Sequence, residues 1–301
     1  MTSEDQRTVR TRVGAVDYLR FVSAAGILWF HAKAPFWQIA YSGLAAFLFL
    51  SIALPGGERA RKEPISFIAL RARRMLLPFL LWSAFYSAMK LSQAYLNGIP
   101  LMQEFRAWMW LTGPVLPLWF LPYAFLSSVV FVIFQERFLK RDPIAFLSLT
   151  IMAVVTQVIV TLYLSEPLPI PLAQWAYALP VVLFATAWRV RSVTPHACTK
   201  MIAALILSLG IQWLAVRDIS SEIIIGIGAA IACMSVARRT LPFSGLAAFI
   251  SLPIYFLHPA GIALFKEVGI LDPLALGLAA LVACCAIGFL LKGTRLGSVL
   301  F

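Results

Sequence analysis

Two ionisable side chains lie inside the first apolar segment of the sequence, which runs from Val16 to His31. Arg20 and His31 are eleven residues apart, so in an α-helix they project from nearly the same face, about 16 Å from each other along the axis. Asp17 precedes Arg20 by one turn and can pair with it. Ionisable groups are costly in an apolar segment and by default indicate function. The competing interpretation is a structural Asp17–Arg20 pair with an interfacial histidine.

A second histidine occurs in a similar setting near the other end of the chain. His258 ends the stretch that begins at Ser251. It lies about 15 residues, or roughly 22 Å, from the start of its own apolar segment. This depth is similar to that of His31 in the first segment. The two imidazoles can therefore share one cavity, although a match of depth by itself is weak evidence.

Aromatic and arginine-rich motifs add two further candidate sites. The segment from Pro117 to Tyr123 carries Trp119, and these rings fit either an interfacial aromatic belt or a wall for a sugar-like acceptor. Three arginines occur within four residues from Arg71 to Arg74, in a predicted loop. Guanidinium groups match phosphate oxygens, which favours an anion with several phosphates. An ordinary positively charged membrane anchor is the alternative.

The composition indicates what must position these residues. The chain is 61% hydrophobic and 13% charged, and its mean hydropathy is +0.87. Soluble domains are about a quarter charged, so this composition predicts an integral membrane protein. The net charge of +12 comes from short clusters of Lys and Arg between apolar segments, which excludes a solvated basic face for nucleic acid.

The apolar segments predict an all-α membrane bundle of about ten transmembrane helices. Most of the 25 Lys and Arg residues fall on alternate connections, which predicts that both termini are cytoplasmic. We expect a single membrane domain over residues 1–301, preceded by a short cytoplasmic tail at 1–13, with no appended soluble domain. The predicted spans are 14–33, 39–55, 75–96, 117–135, 143–164, 171–188, 200–216, 221–236, 243–265 and 272–291.

The sequence contains no motif for a metal site, for a nucleotide cofactor or for a catalytic triad. The four cysteines lack metal-ligand spacing and are expected to be small buried hydrophobic residues. There is no phosphate-binding loop, dinucleotide fingerprint or Ser-His-Asp motif. We therefore expect no metal site and no bound cofactor.

Five motifs, in chain order, resemble those of the acyltransferase family 3 membrane proteins, bacterial enzymes that acylate sugars and other acceptors. The first helix of that family typically carries an Arg, ten intervening residues and a His, which is the spacing of Arg20 and His31. The family often has Ser-Gly-Phe where this chain has Ser51, Ile52 and Ala53. The other matching segments are Gly43–Ser51, Arg71–Arg74 followed by Pro78, Trp119–Tyr123 and Ile254–His258.

The resemblance implies an acyl-CoA co-substrate taken from the cytoplasm and a hydroxyl acceptor on a sugar or on an exported or lipid-linked glycan, with acetyl as the expected group. It implies that His31 is the general base, a role that suits an imidazole with an ordinary pKa near 6.5. Arg20 would orient the donor or stabilise charge, with Asp17 fixing its rotamer. The implied donor-binding residues are Arg71, Arg73 and Arg74, and the implied acceptor-binding residues are Trp119, Tyr123, Tyr255 and His258.

The expected location is the bacterial inner membrane, with lipid, acyl-CoA and a glycan as partners and no nucleic acid. Direct transfer and transfer through an acyl-enzyme are both compatible with these residues. A transporter or flippase for a glycan-pathway intermediate is the main alternative, because it would also use a buried Arg and His. A third interpretation is a catalytically inactive relative that organises a glycan-export complex.

Overall fold

A computed structural model describes residues 14–54, 62–137, 143–163, 168–191, 194–216, 221–236 and 241–300. The described residues form helices and connections, with no β-strand among them, which confirms the predicted all-α class. The predicted tail at 1–13 lies outside the described residues. The long helices are α1 Gly14–Ala32, α3 Ser42–Ala53, α4 Pro64–Leu96, α6 Phe120–Arg137, α7 Pro143–Tyr163, α8 Leu172–Val190, α9 Ala197–Val216, α10 Ser221–Ser235, α11 Ser244–Glu267 and α12 Pro273–Leu291.

Short elements connect some of these helices. Two 3₁₀-helices, Leu101–Glu104 and Leu116–Trp119, lie between α4 and α6. The short α-helices are α2 Trp37–Ala40, α5 Met109–Thr112 and α13 Arg295–Leu300.

The described helices fit a membrane environment. Five stretches are long and apolar enough to cross a bilayer, and the chain is a multi-pass membrane protein. A helix also lies at each of the ten predicted positions, while the count of ten crossings and the cytoplasmic placement of both termini stay predictions. The five stretches are Leu116–Phe134, Pro143–Leu162, Ala197–Leu214, Ser244–Glu267 and Pro273–Leu291.

Helix α4 begins eleven residues before the predicted span. Pro64 occupies its first turn, where a missing N–H is tolerated, and the segment that follows is rich in helix-forming residues. The prediction that Arg71–Arg74 lie in a loop is therefore wrong, because they lie within α4. Residues 71 and 74 share one face of this helix, and residue 73 projects from another.

Helix α3 lies at the centre of the bundle, packed against α1, α6, α8 and α10. Its residues from Gly43 to Leu50 are buried, as expected for a helix that is apolar on all sides. Close backbone contact joins it to α1, since a Cβ atom on Gly43 would lie 2.5 Å from the carbonyl oxygen of Ser23. Helix α1 also packs along α11, which brings the two histidine-bearing helices together.

We expect a reporter inserted between α3 and α4 to be cytoplasmic and one inserted between α4 and α6 to be external. Lys and Arg are concentrated around the first connection and sparse in the second, and basic loops are retained on the cytoplasmic side. Fusions to alkaline phosphatase and to green fluorescent protein report the two sides independently. Finding both connections on one side would rule out the ten-span topology.

Candidate active site

The imidazoles of His31 and His258 stack against each other. Their ring centroids are 5.1 Å apart and the angle between the rings is 26°. His258 is fully buried, whereas His31 is partly exposed. The two histidines therefore meet in a ring contact between α1 and α11, while a cavity shared by them stays a prediction.

The residue that follows His258 determines its tautomer. Pro259 has no N–H, so it leaves the carbonyl of Tyr255 without its usual helical donor. Nδ1 of His258 lies 2.8 Å from that carbonyl and 3.2 Å from the carbonyl of Ile254. A carbonyl only accepts, so Nδ1 carries the proton and the lone pair of the neutral ring lies on Nε2.

Nε2 of His258 is buried and has no hydrogen-bond partner among the described residues. A buried nitrogen with an unused lone pair is unfavourable unless a ligand or water supplies a donor. The His-Pro pair therefore presents a proton-accepting nitrogen inside the bundle, next to His31. The signal for this nitrogen is local, since His258 directly precedes Pro259 in the sequence.

Two aromatic residues of α4 hold the histidine-bearing part of α11. The hydroxyl of Tyr86 donates to the carbonyl of Phe256 at 2.6 Å and accepts from the N–H of Ala260 at 3.3 Å. Trp82 stacks on Phe256 with ring centroids 5.4 Å apart. A hydroxyl that bridges one turn in this way stabilises the helix beside Pro259. Neither Tyr86 nor Trp82 belongs to a motif that the sequence singles out.

An aromatic cluster surrounds His31 at the end of α1. Phe30 meets the His31 ring edge-on at 5.1 Å and stacks on Tyr41 at 4.1 Å. Tyr41 in turn contacts Tyr177 at 5.2 Å, and the buried Tyr177 hydroxyl has no hydrogen-bond partner among the described residues. The ammonium of Lys33 lies 3.8 Å from the Trp37 ring. Aromatic faces with an unused hydroxyl form a suitable lining for a polar organic ligand.

The predicted acceptor-binding aromatics lie deeper in the bundle. Tyr255 is buried, its ring centroid is 6.3 Å from that of His258, and its hydroxyl donates to the carbonyl of Pro117. Trp119 and Tyr123 are also buried, with ring centroids 5.6 Å apart. Tyr255 therefore borders the histidine pair, while Trp119 and Tyr123 form part of the core behind it. Contact of any of the three with an acceptor stays a prediction.

At the other end of α1, Arg20 forms the ion pair that its spacing from Asp17 predicts. Nη1 of Arg20 lies 3.5 Å from Oδ1 of Asp17, and the Asp17 side chain is only 4% exposed. The positive charge of Arg20 also lies within electrostatic range of Arg71. The fold thus places Arg20 with the arginines of α4, about 16 Å along α1 from His31.

The three arginines predicted to bind the donor occupy different environments. Arg71 is partly buried, and its Nη2 donates to the carbonyl of Ser51 at 3.1 Å and to Oγ of Ser128 at 3.0 Å. Arg73 and Arg74 are exposed. Arg74 lies within electrostatic range of Arg71 on the same helical face. Arg73 projects from a different face, so the three do not form one compact group.

A fourth arginine, which directly follows the predicted span 171–188, joins this region. Arg189 lies in the last turn of α8 and donates through Nη1 to the carbonyl of Ile52 at 3.0 Å. Its guanidinium also lies 3.8 Å from the ring centroid of Phe131. In the sequence, Arg189 follows the predicted span as an ordinary basic anchor would, whereas in the structure the helix continues to Val190 and includes it.

The described part of the chain contains no group of three or more His, Cys, Asp and Glu side chains placed to hold a metal ion. The residues brought together are imidazoles, aromatic rings and guanidiniums. This set can accept a proton, stack on a ligand and bind an anion.

Comparison with known protein families identifies a domain that covers most of the chain. The family model of the acyltransferase domain of acyltransferase family 3 matches residues 13–293, which include both histidines and all the arginines described above. No curated protein and no solved structure matches the chain. Because the match covers nearly the whole sequence, the chain belongs to acyltransferase family 3.

Proposed function

We propose that this membrane acyltransferase moves an acyl group, with acetyl expected, from acyl-CoA to a hydroxyl of a sugar or of an exported or lipid-linked glycan. The stacked pair of His31 and His258, in a chain of this family, is the observation that carries the proposal. The proposed location is the inner membrane of a bacterium, with the donor bound from the cytoplasm.

In the proposed reaction, His31 is the general base. Its ring is the more exposed of the pair, so an acceptor hydroxyl can reach it. His31 takes the proton of that hydroxyl as the oxygen attacks the thioester carbonyl carbon. The carbon–sulfur bond then breaks, and the departing CoA thiolate takes the proton back. The products are an ester on the acceptor and free CoA.

His258 supports this step from the buried side. Because its Nδ1–H is held by backbone carbonyls, its ring stays in one orientation and its unused lone pair stays on Nε2. A neutral ring stacked on His31 stabilises the imidazolium that forms when His31 takes a proton. His258 is thus proposed as a positioning residue for the base.

The aromatic cluster beside His31 is the proposed acceptor site. The faces of Phe30 and Tyr41 can stack on a sugar ring, and the unpartnered hydroxyl of Tyr177 can bond to one of its hydroxyls. Lys33 adds a positive charge at this end of α1, which favours an acceptor that carries an anionic group.

The proposal is tested with the purified full-length protein in lipid nanodiscs. We expect acetyl-CoA to release free CoA thiol only when a glycan acceptor is present. Mass spectrometry of surface glycans from a deletion strain should show the loss of an acyl group that returns on complementation. Undiminished acylation in the deletion strain, together with no thiol release in vitro, would support the transporter interpretation instead.

Replacing Pro259 with alanine is expected to reduce turnover by about tenfold or less. The new N–H would compete with Nδ1 of His258 for the carbonyl of Tyr255, so the ring would no longer be held in one tautomer. The measurement is kcat across a pH series in nanodiscs, because a changed tautomer alters the pH profile and a purely structural change lowers activity uniformly.

The chain offers a matched control for this variant. Pro253 also lies inside α11, and it has no histidine beside it. Pro253→Ala should leave the shape of the pH profile unchanged. An identical profile change in both variants would mean that helix shape, rather than the tautomer of His258, is responsible.

A further inference from the structure

Two arginines from different helices meet at the C-terminal end of α3. The last carbonyls of a helix have no donor within it, and here Arg71 of α4 binds the carbonyl of Ser51 while Arg189 of α8 binds that of Ile52. These carbonyls belong to consecutive residues, so the two guanidiniums reach the same end of α3 from different helices. Arginines at such a position suit the negative end of the helix dipole.

Capping of α3 does not account for the charge at this place. Neither Arg71 nor Arg189 forms an ion pair within the described residues, although Arg189 lies within electrostatic range of the charge of Arg71. Arg74 and Arg20 add further positive charge around Arg71. Like charges in a partly buried, apolar setting repel, and a bound anion would offset that repulsion.

The hydrogen bonds of Arg71 also leave a donor unused. A guanidinium has five N–H groups, and the bonds of Arg71 to Ser51 and Ser128 both use Nη2. Its Nε is buried and has no partner in the described part of the chain. A charged donor buried without an acceptor is unfavourable. An anionic oxygen supplied by a ligand would satisfy it.

We propose that Arg71 and Arg189 together bind a phosphate group of the acyl-CoA donor, with Arg73 taking no part. This inference rests on the proposed function. A phosphate accepts several charge-assisted hydrogen bonds at once, which suits two adjacent guanidiniums. The site lies near Arg20, about 16 Å along α1 from His31, so an extended pantetheine arm can carry the thioester from the phosphate site to the histidine pair.

The test uses Arg189→Gln in the full-length protein in nanodiscs of neutral phosphatidylcholine. Gln keeps a side-chain N–H that can cap the carbonyl of Ile52 but removes the positive charge. We expect the Kd for CoA to rise by about tenfold or more, because a charge-assisted hydrogen bond to phosphate is lost. With acetyl-CoA and an acceptor, KM should rise similarly while kcat changes little.

Arg191→Ala is the matched control. Arg191 directly follows α8, stacks on Trp188 and donates to the carbonyl of Trp188. These contacts are with the last turn of its own helix and not with α3. Its replacement should leave the Kd for CoA within about twofold of the wild-type value. An equal loss in both variants would mean that general positive charge, rather than a built site, attracts the donor.

The other outcomes separate the remaining explanations. Unchanged CoA binding in folded Arg189→Gln protein would overturn the inference and leave Arg189 as a helix cap. A second outcome is that Arg189→Gln leaves CoA binding unchanged but abolishes a stabilisation that phosphatidylglycerol gives to the wild-type protein. The anion would then be a lipid headgroup, and the inference would also be wrong. CoA binding requires no acceptor, so the Kd measured for CoA tests the phosphate site even if no glycan is acylated.

A wild-type protein that binds CoA without turnover would refute the proposed function alone.

Discussion

Replacing His31 with alanine is expected to reduce acyl transfer by about 10²–10⁴-fold while the protein stays folded. The side chain is partly exposed, and the ring contacts identified for it are with Phe30 and His258, so its loss removes little packing. Without the imidazole, no group takes the proton from the acceptor hydroxyl as it attacks the thioester. The measurement is kcat for CoA release in nanodiscs, with the melting temperature as the check on folding.

The third histidine of the chain supplies the control for this variant. His196 is exposed, and its φ of 55° lies in the left-handed region, so Asn is the replacement that its backbone tolerates. His196→Asn should retain full activity. Near wild-type turnover in folded His31→Ala protein would remove the catalytic assignment and reopen the transporter and scaffold interpretations.

Replacing His258 with asparagine is expected to reduce turnover by about 10–100-fold, with a small effect on stability. The Asn amide can still donate to the carbonyl of Tyr255, as Nδ1 of His258 does at 2.8 Å. It has no ring to stack on His31 and no nitrogen with a lone pair in the place of Nε2. This change therefore separates the chemical role of His258 from its contribution to packing.

His258→Ala provides the comparison. Because His258 is fully buried, alanine leaves a cavity and is expected to lower the melting temperature more than asparagine does. If the asparagine variant keeps near wild-type turnover and only the alanine variant is impaired, His258 has a structural role alone. A loss of kcat in both, with unchanged CoA binding, places His258 with His31 rather than with the donor site.

Much of the architecture follows from local properties of the sequence. Long apolar segments must form helices in a bilayer, because a helix satisfies its own backbone hydrogen bonds. The same periodicity places Asp17 one turn before Arg20, and the two form the predicted ion pair at 3.5 Å. The tautomer of His258 is also local, since it depends on the absence of an N–H on Pro259.

The convergence of distant residues was decided only by the tertiary structure. His31 and His258 had similar predicted depths, but their stacking depends on how α1 packs against α11, and helix packing is set by small residues and side-chain shapes along the whole interface. Arg189 looked like one more basic anchor at the end of a span. It joins Arg71 because α4 and α8 both reach the end of α3, and hydropathy along the chain carries no information about which helix ends meet.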